Sequence, residues 1–545
     1  MAILKFSTGP LRKQIGFVRA IPDEAQDVLK KRGYECYLID EASLKNPGQI
    51  GTTDSVVLTQ TPNYPYQVRQ DLERFADLLN HDCRLYVRYA RNAADLKNIV
   101  LRALNRLELP PSGLVGTDVE LFDGDWFKGA NAPIFGPFVH ILQVSDDWDL
   151  LANLIACNPA GQRPDADLDI NICNAKYQPP NLSDEDTLLL RRAFWDCSSV
   201  HLVGIENGLS GVAAFDVFAH LRENVVGGDW PYRFFVKLGD RIKVAREFEK
   251  YGTTALENVP YHLGPRLRLD RCVLGRSRGL IVSDYVAGAE ALRDCTRDGR
   301  GIPAIGNLFN QTLLAWRRAA TEEDRPLQEY LDYLLPKVMP KHLESLTKAY
   351  GATKTIEELK ALFQARPSRP VLTGVVHGDL HATNVLVRMN DAVIIDLEKI
   401  KAGMPLLLDA ASLEGGLFVD GFIHAQRSAE EVLLSIQPLY TAAGFDHDDH
   451  HCQPNDGSAW FLDSVRQIRM QARQMERQPR QYAWTLAAVL LKKSCFRRNF
   501  QEDDDTEALN AKLLTHEDVR AMAYVLAERI LVDLSKEGDQ PVHDK

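Results

Sequence analysis

The sequence predicts a multidomain protein of mixed α/β and α+β class, and three observations lead there. The chain has 545 residues, more than a single hydrophobic core organises. Its first hundred residues alternate short apolar runs with amphipathic helical stretches, the pattern of a parallel sheet with right-handed crossovers. From about residue 200 the order changes. Strand-like runs follow one another across glycine turns, and long helical patterns then take over. Hydrophobic residues make up 45% of the chain and charged residues 26%, an ordinary globular balance.

The N-terminal domain is placed at residues 1–112. Its strands are expected at 15–21 (IGFVRAI), 34–40 (YECYLID), 55–60 (SVVLTQ) and 83–90 (CRLYVRYA). Helices are expected at 23–33, 66–80 and 93–109, the first ending at a glycine. This order resembles the flavodoxin-like receiver domain of response regulators. The phosphoacceptor Asp of that family would end the third strand, where this chain has Thr59 and Gln60. The resemblance therefore implies a pseudo-receiver that contacts a protein partner and does not take part in phosphotransfer. Leu109–Gly113 (LPPSG) reads as a boundary. Residues 113–182 form a linker or extension with one strand-like run, 138–144, and no fold or function is assigned to them.

A third segment, 183–290, opens on a capping box, with Ser183 as N-cap and Asp186 three positions on. Strand, glycine turn and strand follow over 201–221. Next come a strand with one lysine, Lys237, a helix over 241–256, and a strand over 279–288 that reaches a glycine. The fourth segment, 291–545, is mostly helical. It contains HGDLHATN at 377–384 and, after a short gap, VIIDLE ending an apolar strand.

These parts suit nucleotide-dependent phosphoryl transfer, which asks a protein mainly for positioning and for charge neutralisation on a polyphosphate. A glycine turn lets backbone N–H groups approach phosphate oxygens, and Ser210 and Gly211 are the candidates. Lys237 would reach the phosphates. Glu247 and Glu249 are both within reach of it but point to different helix faces. Glu247 is chosen because it lies one turn before Tyr251 and one turn after Lys243. Asp379 would orient an acceptor hydroxyl and take its proton. Asn384 and Asp396 would hold Mg²⁺ through oxygen ligands.

The H-x-D-x-x-x-x-N spacing of His377, Asp379 and Asn384 is that of kinase catalytic loops. The middle glycine, His381, DLE in place of DFG, and MPLLLDAASLEGGL at 404–417 resemble the aminoglycoside phosphotransferase and choline kinase branch of protein-kinase-like proteins. The resemblance covers roughly residues 185–500. It implies a bilobal kinase-like fold, with an N-lobe over 183–290 and a helical C-lobe over 291–545. It also implies ATP and Mg²⁺ as cofactors, with GTP equally compatible, and a hydroxyl-bearing acceptor. Backbone groups of Asp284, Tyr285 and Val286 would bind the base at the hinge, and Asp409 would help fix the C-lobe. ENGLSG at 206–211 departs from the family's glycine-rich loop. Only a short segment separates Asp396 from Asp409, which leaves no room for a long activation loop. Two other readings stand beside this one: a non-catalytic nucleotide-sensing regulator, and a signalling or defence kinase that acts on a macromolecule.

The remaining features bound the answer. A formal net charge of -11 argues against a dedicated nucleic-acid binder. No apolar run is long enough to span a bilayer, and nine unpaired-looking cysteines read as reduced thiols, so a cytoplasmic protein is expected. FDHDDHHC at 445–452 is crowded for a metal site and reads as a solvated loop. Arg466, Arg469, Arg473 and Arg477 fall at helical spacing, and KKSCFRRNF at 492–500 adds a second basic cluster. Both read either as solvated faces or as a surface for an anionic acceptor.

Overall fold

A computed structural model describes residues 13–18, 20–40, 55–59, 84–89, 115–117, 139–143, 147–156, 164–173, 182–205, 213–222, 231–255, 258–275, 278–364, 370–423, 425–446, 458–495 and 513–537. The chain divides into two compact units. One comprises residues 1–249 with 266–285, the other 250–265 with 286–545.

The first unit holds two sheets. One consists of β1 (Lys13–Val18), β2 (Tyr34–Ile39), β3 (Ser55–Thr59), β4 (Arg84–Tyr89), β5 (Val115–Thr117) and β6 (Val139–Gln143), in the spatial order β2-β1-β3-β4-β6-β5. Every pairing in it is parallel. Strand β3 ends at Thr59. Helices α1 (Asp23–Lys31) and α2 (Trp148–Ala156) close one face. There Ile15, Phe17, Leu29, Val57 and Tyr86 form a buried core with Trp148, Leu151 and Ile155. The expected helices at 66–80 and 93–109 lie outside the described residues.

The second sheet comprises β7 (Asp169–Cys173), β8 (Cys197–Ile205), β9 (Ala213–Leu221), β10 (Tyr232–Asp240), β11 (Val273–Leu274) and β12 (Arg278–Asp284), in the order β11-β12-β10-β9-β8-β7. The segment 113–182 gives β5 and β6 to the first sheet and β7 to the second. Helix α3 (Asp184–Ala193) begins with the capping box expected there: the Ser183 hydroxyl accepts from the Asp186 N–H, and the Asp186 carboxylate accepts from the Ser183 N–H. Its Leu189, Leu190 and Ala193 pack on Val217, Val236, Leu238, Leu280 and Val282. Helix α4 (Arg241–Lys250) follows β10 directly, and its Val244 is buried with Cys272, Leu274 and Ile281.

The second unit is mainly helical around a small antiparallel framework. Strand β13 (Glu290–Ala291) pairs with β16 (Val385–Arg388), which forms a hairpin with β17 (Asp391–Ile394). Strand β15 (Pro370–Val376) lies between β14 (Thr321–Asp324) and β18 (Lys401–Pro405). The helical body consists of α5 (Leu407–Phe422), α6 (Ala459–Arg473), α7 (Gln481–Cys495) and α8 (His516–Glu537). Helix α7 is buried nearly all round, as a helix inside a bundle must be. A buried ion pair ties α5 to α6, with Glu414 and Arg469 only 2.7 Å apart and the Tyr482 hydroxyl donating to the same carboxylate at 2.7 Å. Among the described residues no helix is long and apolar enough to cross a membrane, and Cys36, Cys173, Cys197, Cys272, Cys295 and Cys495 are free thiols.

Candidate active site

Strand alternation places the lysine of the first unit. Phe234, Val236 and Leu238 of β10 are buried in the core beneath α3, so Lys237 points to the opposite face. Its ladder partner there is Ile281, which packs with α4. On that face Lys237 Nζ meets Glu247 Oε2 at 2.6 Å, with only 12% and 8% of the two side chains exposed. Glu249 is exposed. Ser210 and Gly211 lie outside the described residues.

Of the proposed hinge residues, Asp284 ends β12 and Tyr285 and Val286 follow it. The Asp284 N–H donates to the Arg266 carbonyl at 2.9 Å. The Tyr285 ring is covered by the Arg233 guanidinium at 3.6 Å, which Asp216 holds at 2.8 Å. The Val286 carbonyl accepts from the Ala289 N–H at 3.3 Å.

The loop 377–384 of the second unit runs from the end of β15 to the start of β16. Asp409 on α5 grips its first residues, accepting from the His377 N–H at 2.8 Å and the Gly378 N–H at 3.1 Å. The buried His377 ring donates from Nε2 to the Ile395 carbonyl at 2.9 Å, so its role here is to anchor the loop. Asn384 donates from its side-chain amide to the Asp379 carbonyl at 3.0 Å, and its own carbonyl accepts from the Ile395 N–H at 3.0 Å. These bonds fix the loop to the strand end that carries Asp396. Gly378 has φ 77°, and a Cβ there would fall on the Lys399 carbonyl, so only glycine fits the middle of HGD.

Asp396 caps a short 3₁₀ turn, Leu397–Lys399, in the left-handed conformation, φ 59°. Aspartate tolerates this region better than most residues, but the conformation still costs free energy, and such outliers concentrate at functional sites. The turn swings Lys399 back onto the loop, where its Nζ lies 2.6 Å from Asp379 Oδ2.

Burial alone would raise the Asp379 carboxyl. The charges of His381, Lys399 and Lys493, with the Lys399 hydrogen bond, outweigh it and hold the group well below the usual carboxylate range. Burial also pushes His381 down from its ordinary value, so at neutral pH the lysines carry the effect on Asp379. The His381 Nδ1 is bonded to the Thr383 hydroxyl at 2.7 Å, a local anchoring contact. For Asp409, burial pushes the carboxyl up against the opposing pull of His377 and the two backbone donors.

Asn384 and Asp396 supply oxygen atoms of the kind a hard cation takes. The Asn384 amide nitrogen is committed to the Asp379 carbonyl, so Oδ1 is the atom of this side chain that could take a cation. Among the described residues no group of three or more His, Cys, Asp or Glu gathers around a common point.

Several residues of the site escaped sequence reading. Lys399 carried a signal only as the third residue after Asp396. Tyr333, 49% exposed, carried none. The glycine pair on α5 has a spatial role: a Cβ on Gly416 would meet the His381 Cβ at 2.7 Å, and one on Gly415 would crowd Val489 and the Lys493 stem. The arginines of the row, Arg466, Arg469 and Arg473 on α6 with Arg477 beyond its end, have partners within the chain. Arg469 is buried against Glu414, Arg477 pairs with Glu322 at 2.9 Å, Arg466 lies 3.4 Å from Asp463, and Arg473 donates to the Phe445 carbonyl at 3.3 Å. Of FDHDDHHC, residues 447–452 lie outside the described residues, and Asp446 is engaged by Arg480 at 3.0 Å.

Comparison with known proteins gives one family model and a set of solved structures. The family model described as "Phosphotransferase enzyme family" (APH) matches residues 226–425, a span that includes Lys237, Glu247, Asp379, Asn384, Asp396 and Asp409. No curated protein matches the chain. Among solved structures, a thermostable mutant of aminoglycoside phosphotransferase APH(4)-Ia in its apo form is 13% identical, over 62% of this chain and 95% of its own, with a TM-score of 0.34. A glucosamine kinase in complex with glucosamine, ADP and inorganic phosphate is 14% identical, over 56% of this chain and 79% of its own, with a TM-score of 0.31. The aminoglycoside phosphotransferase APH(3'')-Id from Streptomyces rimosus is 16% identical, over 51% of this chain and 96% of its own, with a TM-score of 0.25. Residues 226–425 of the chain are thus similar to the APH phosphotransferase family.

Proposed function

We propose that the protein is a nucleotide- and Mg²⁺-dependent phosphotransferase that moves the γ-phosphoryl group of ATP to a hydroxyl on a small molecule. The observation that carries this reading is the locked loop of the second unit. Asn384 bonds the Asp379 carbonyl and receives the Ile395 N–H, which fixes Asp379, Asn384 and the Asp396 turn as one rigid assembly. Preorganisation of this kind is what a reaction with a loose, charge-dispersed transition state requires.

Asp379 holds the acceptor hydroxyl by accepting its hydrogen bond. Its depressed pKa makes it a weak base, so it orients the nucleophile and receives the proton only as the P–O bond forms. Lys399 keeps it ionised. Asn384 and Asp396 hold Mg²⁺, which when bound neutralises charge on the transferring phosphate. Lys237, steadied by Glu247, holds the nucleotide phosphates, with Ser210 and Gly211 as backbone contacts. The base is read by backbone groups of Asp284, Tyr285 and Val286, which leaves ATP and GTP both acceptable. The parallel sheet of the first unit, with Thr59 at the end of β3, serves as a receiver-like docking module.

The test is label transfer from [γ-³²P]ATP with Mg²⁺ into a cell extract separated into protein and small-molecule fractions, comparing the natural chain with Asp396→Ala. Label in the small-molecule fraction that disappears in the variant supports the reading. Absence of label, with ATP still protecting the chain against thermal unfolding, points instead to a nucleotide-sensing regulator.

A further inference from the structure

The surroundings of Asp379 are rich in cations that the chain does not neutralise. Lys399 answers Asp379 and lies within electrostatic reach of Asp396 and Glu398. Lys401, two residues on, rests over the Tyr333 ring, its Nζ 4.1 Å from the ring centroid. Lys492 and Lys493 come from the last turn of α7. That helix packs against α5 and against the turn Asp332–Leu334 that carries Tyr333. The α5 glycines leave the space through which Lys493 passes, its Nζ 3.7 Å from where a Cβ of Gly416 would stand, beside His381.

The carboxylates facing this group are few. Asp379 is engaged by Lys399, Asp409 is buried and grips the loop backbone, and Asp420 lies 4.0 Å from His381. Among the described residues Lys401, Lys492 and Lys493 have no carboxylate within salt-bridge distance. Burial disfavours the Lys492 ammonium, and the repulsion of Lys399, Lys493 and Lys401 adds to it, against the attraction of Asp379. Lys492 and Lys493 are half-buried and Lys401 is exposed, and like charges gathered in this way favour an anion that comes to them. Three cations match a dianion better than a monoanion, and lysine binds phosphate oxygens as a point charge.

We propose that the acceptor is a phosphate monoester, its phosphate held by Lys401, Lys492 and Lys493 and its ring or chain against Tyr333, so that its hydroxyl reaches Asp379. This rests on the phosphotransferase reading above. The same positive field would repel a polycationic amino sugar, so this acceptor class differs from those named for the aminoglycoside and glucosamine kinases.

The first arm of the test is binding. The full chain, saturated with ADP and Mg²⁺ to fill the nucleotide site, is titrated with inorganic phosphate, and with acetate at equal ionic strength, while the thermal midpoint is followed. Phosphate should raise the midpoint in the natural chain. The dissociation constant should rise by about tenfold or more for each of Lys401→Gln, Lys492→Gln and Lys493→Gln. Protection by ADP and Mg²⁺ in each variant shows that it folds. An acetate effect equal to that of phosphate, or a phosphate effect unchanged in the three variants, would overturn the proposal.

The second arm is transfer. A small-molecule extract is split on an anion exchanger before labelling with [γ-³²P]ATP. The label should enter the retained fraction, with a raised acceptor KM in Lys492→Gln. Label confined to the unretained fraction would overturn the phosphate-acceptor proposal and leave the phosphotransferase reading intact. Lysine-dependent phosphate binding without label in either fraction would overturn the phosphotransferase reading instead.

Discussion

Lys399 Nζ lies 2.6 Å from Asp379 Oδ2, so the carboxylate at the centre of the loop motif rests against a cation supplied by the turn after Asp396. The pair joins two pieces of sequence twenty residues apart. It makes the ionisation of Asp379 depend on how the Asp396 turn is folded.

Removing that cation shifts a titration. The depressed Asp379 group contributes stability that is present in full above the ordinary carboxylate value of about 3.9, and it is lost as the pH falls toward the depressed value. In Lys399→Met the carboxyl rises toward its ordinary range. The pH profile of kcat/KM, flat for the natural enzyme down to about pH 4 in the absence of other groups, should then gain an acid limb at higher pH. Superimposable profiles for the two proteins would show that Lys399 does not govern Asp379.

The pairing of Lys237 with Glu247 separates two neighbouring carboxylates experimentally. Glu247→Ala leaves a nearly buried lysine without its counter-charge, a change that costs about 3–5 kcal/mol in comparable sites. It should raise the KM for ATP and lower the thermal midpoint together. Glu249 is exposed, and Glu249→Ala should change stability by no more than about 0.5 kcal/mol. Thermal unfolding and ATP titration of the two variants check this, and equal effects would remove Glu247 from its assigned place.

Asp409 offers a test of the loop's support. Asp409→Ala leaves the His377 and Gly378 N–H groups without their acceptor, at about 1–3 kcal/mol for each buried donor. The variant should lose thermal stability and kcat while its KM for ATP changes little. An unchanged kcat would mean that the loop holds its shape without the clamp.

Much of the second unit was legible because its motif is local. The loop between β15 and β16 and the Asp396 turn after β17 follow from H-G-D-x-x-x-x-N and an apolar strand, and the capping box at Ser183 and Asp186 is likewise written in adjacent residues. What sequence could not supply is proximity across the fold. Lys492 and Lys493 reach Asp379 only because α7 packs on α5 at two glycines, and Tyr333 joins them from a turn more than forty residues before the loop. The arginine row misled for a related reason: its spacing is helical, but Arg469 points into the bundle, where Glu414 and Tyr482 await it. Burial decides whether a periodic charge is a surface or a strut.

The most direct test of the central claim is single-turnover transfer from [γ-³²P]ATP to the acceptor pool by Asp379→Ala, with ATP binding measured on the same preparation. The account predicts a rate lower by about 10²–10⁴-fold with ATP affinity close to that of the natural chain. Undiminished transfer by the variant would contradict it.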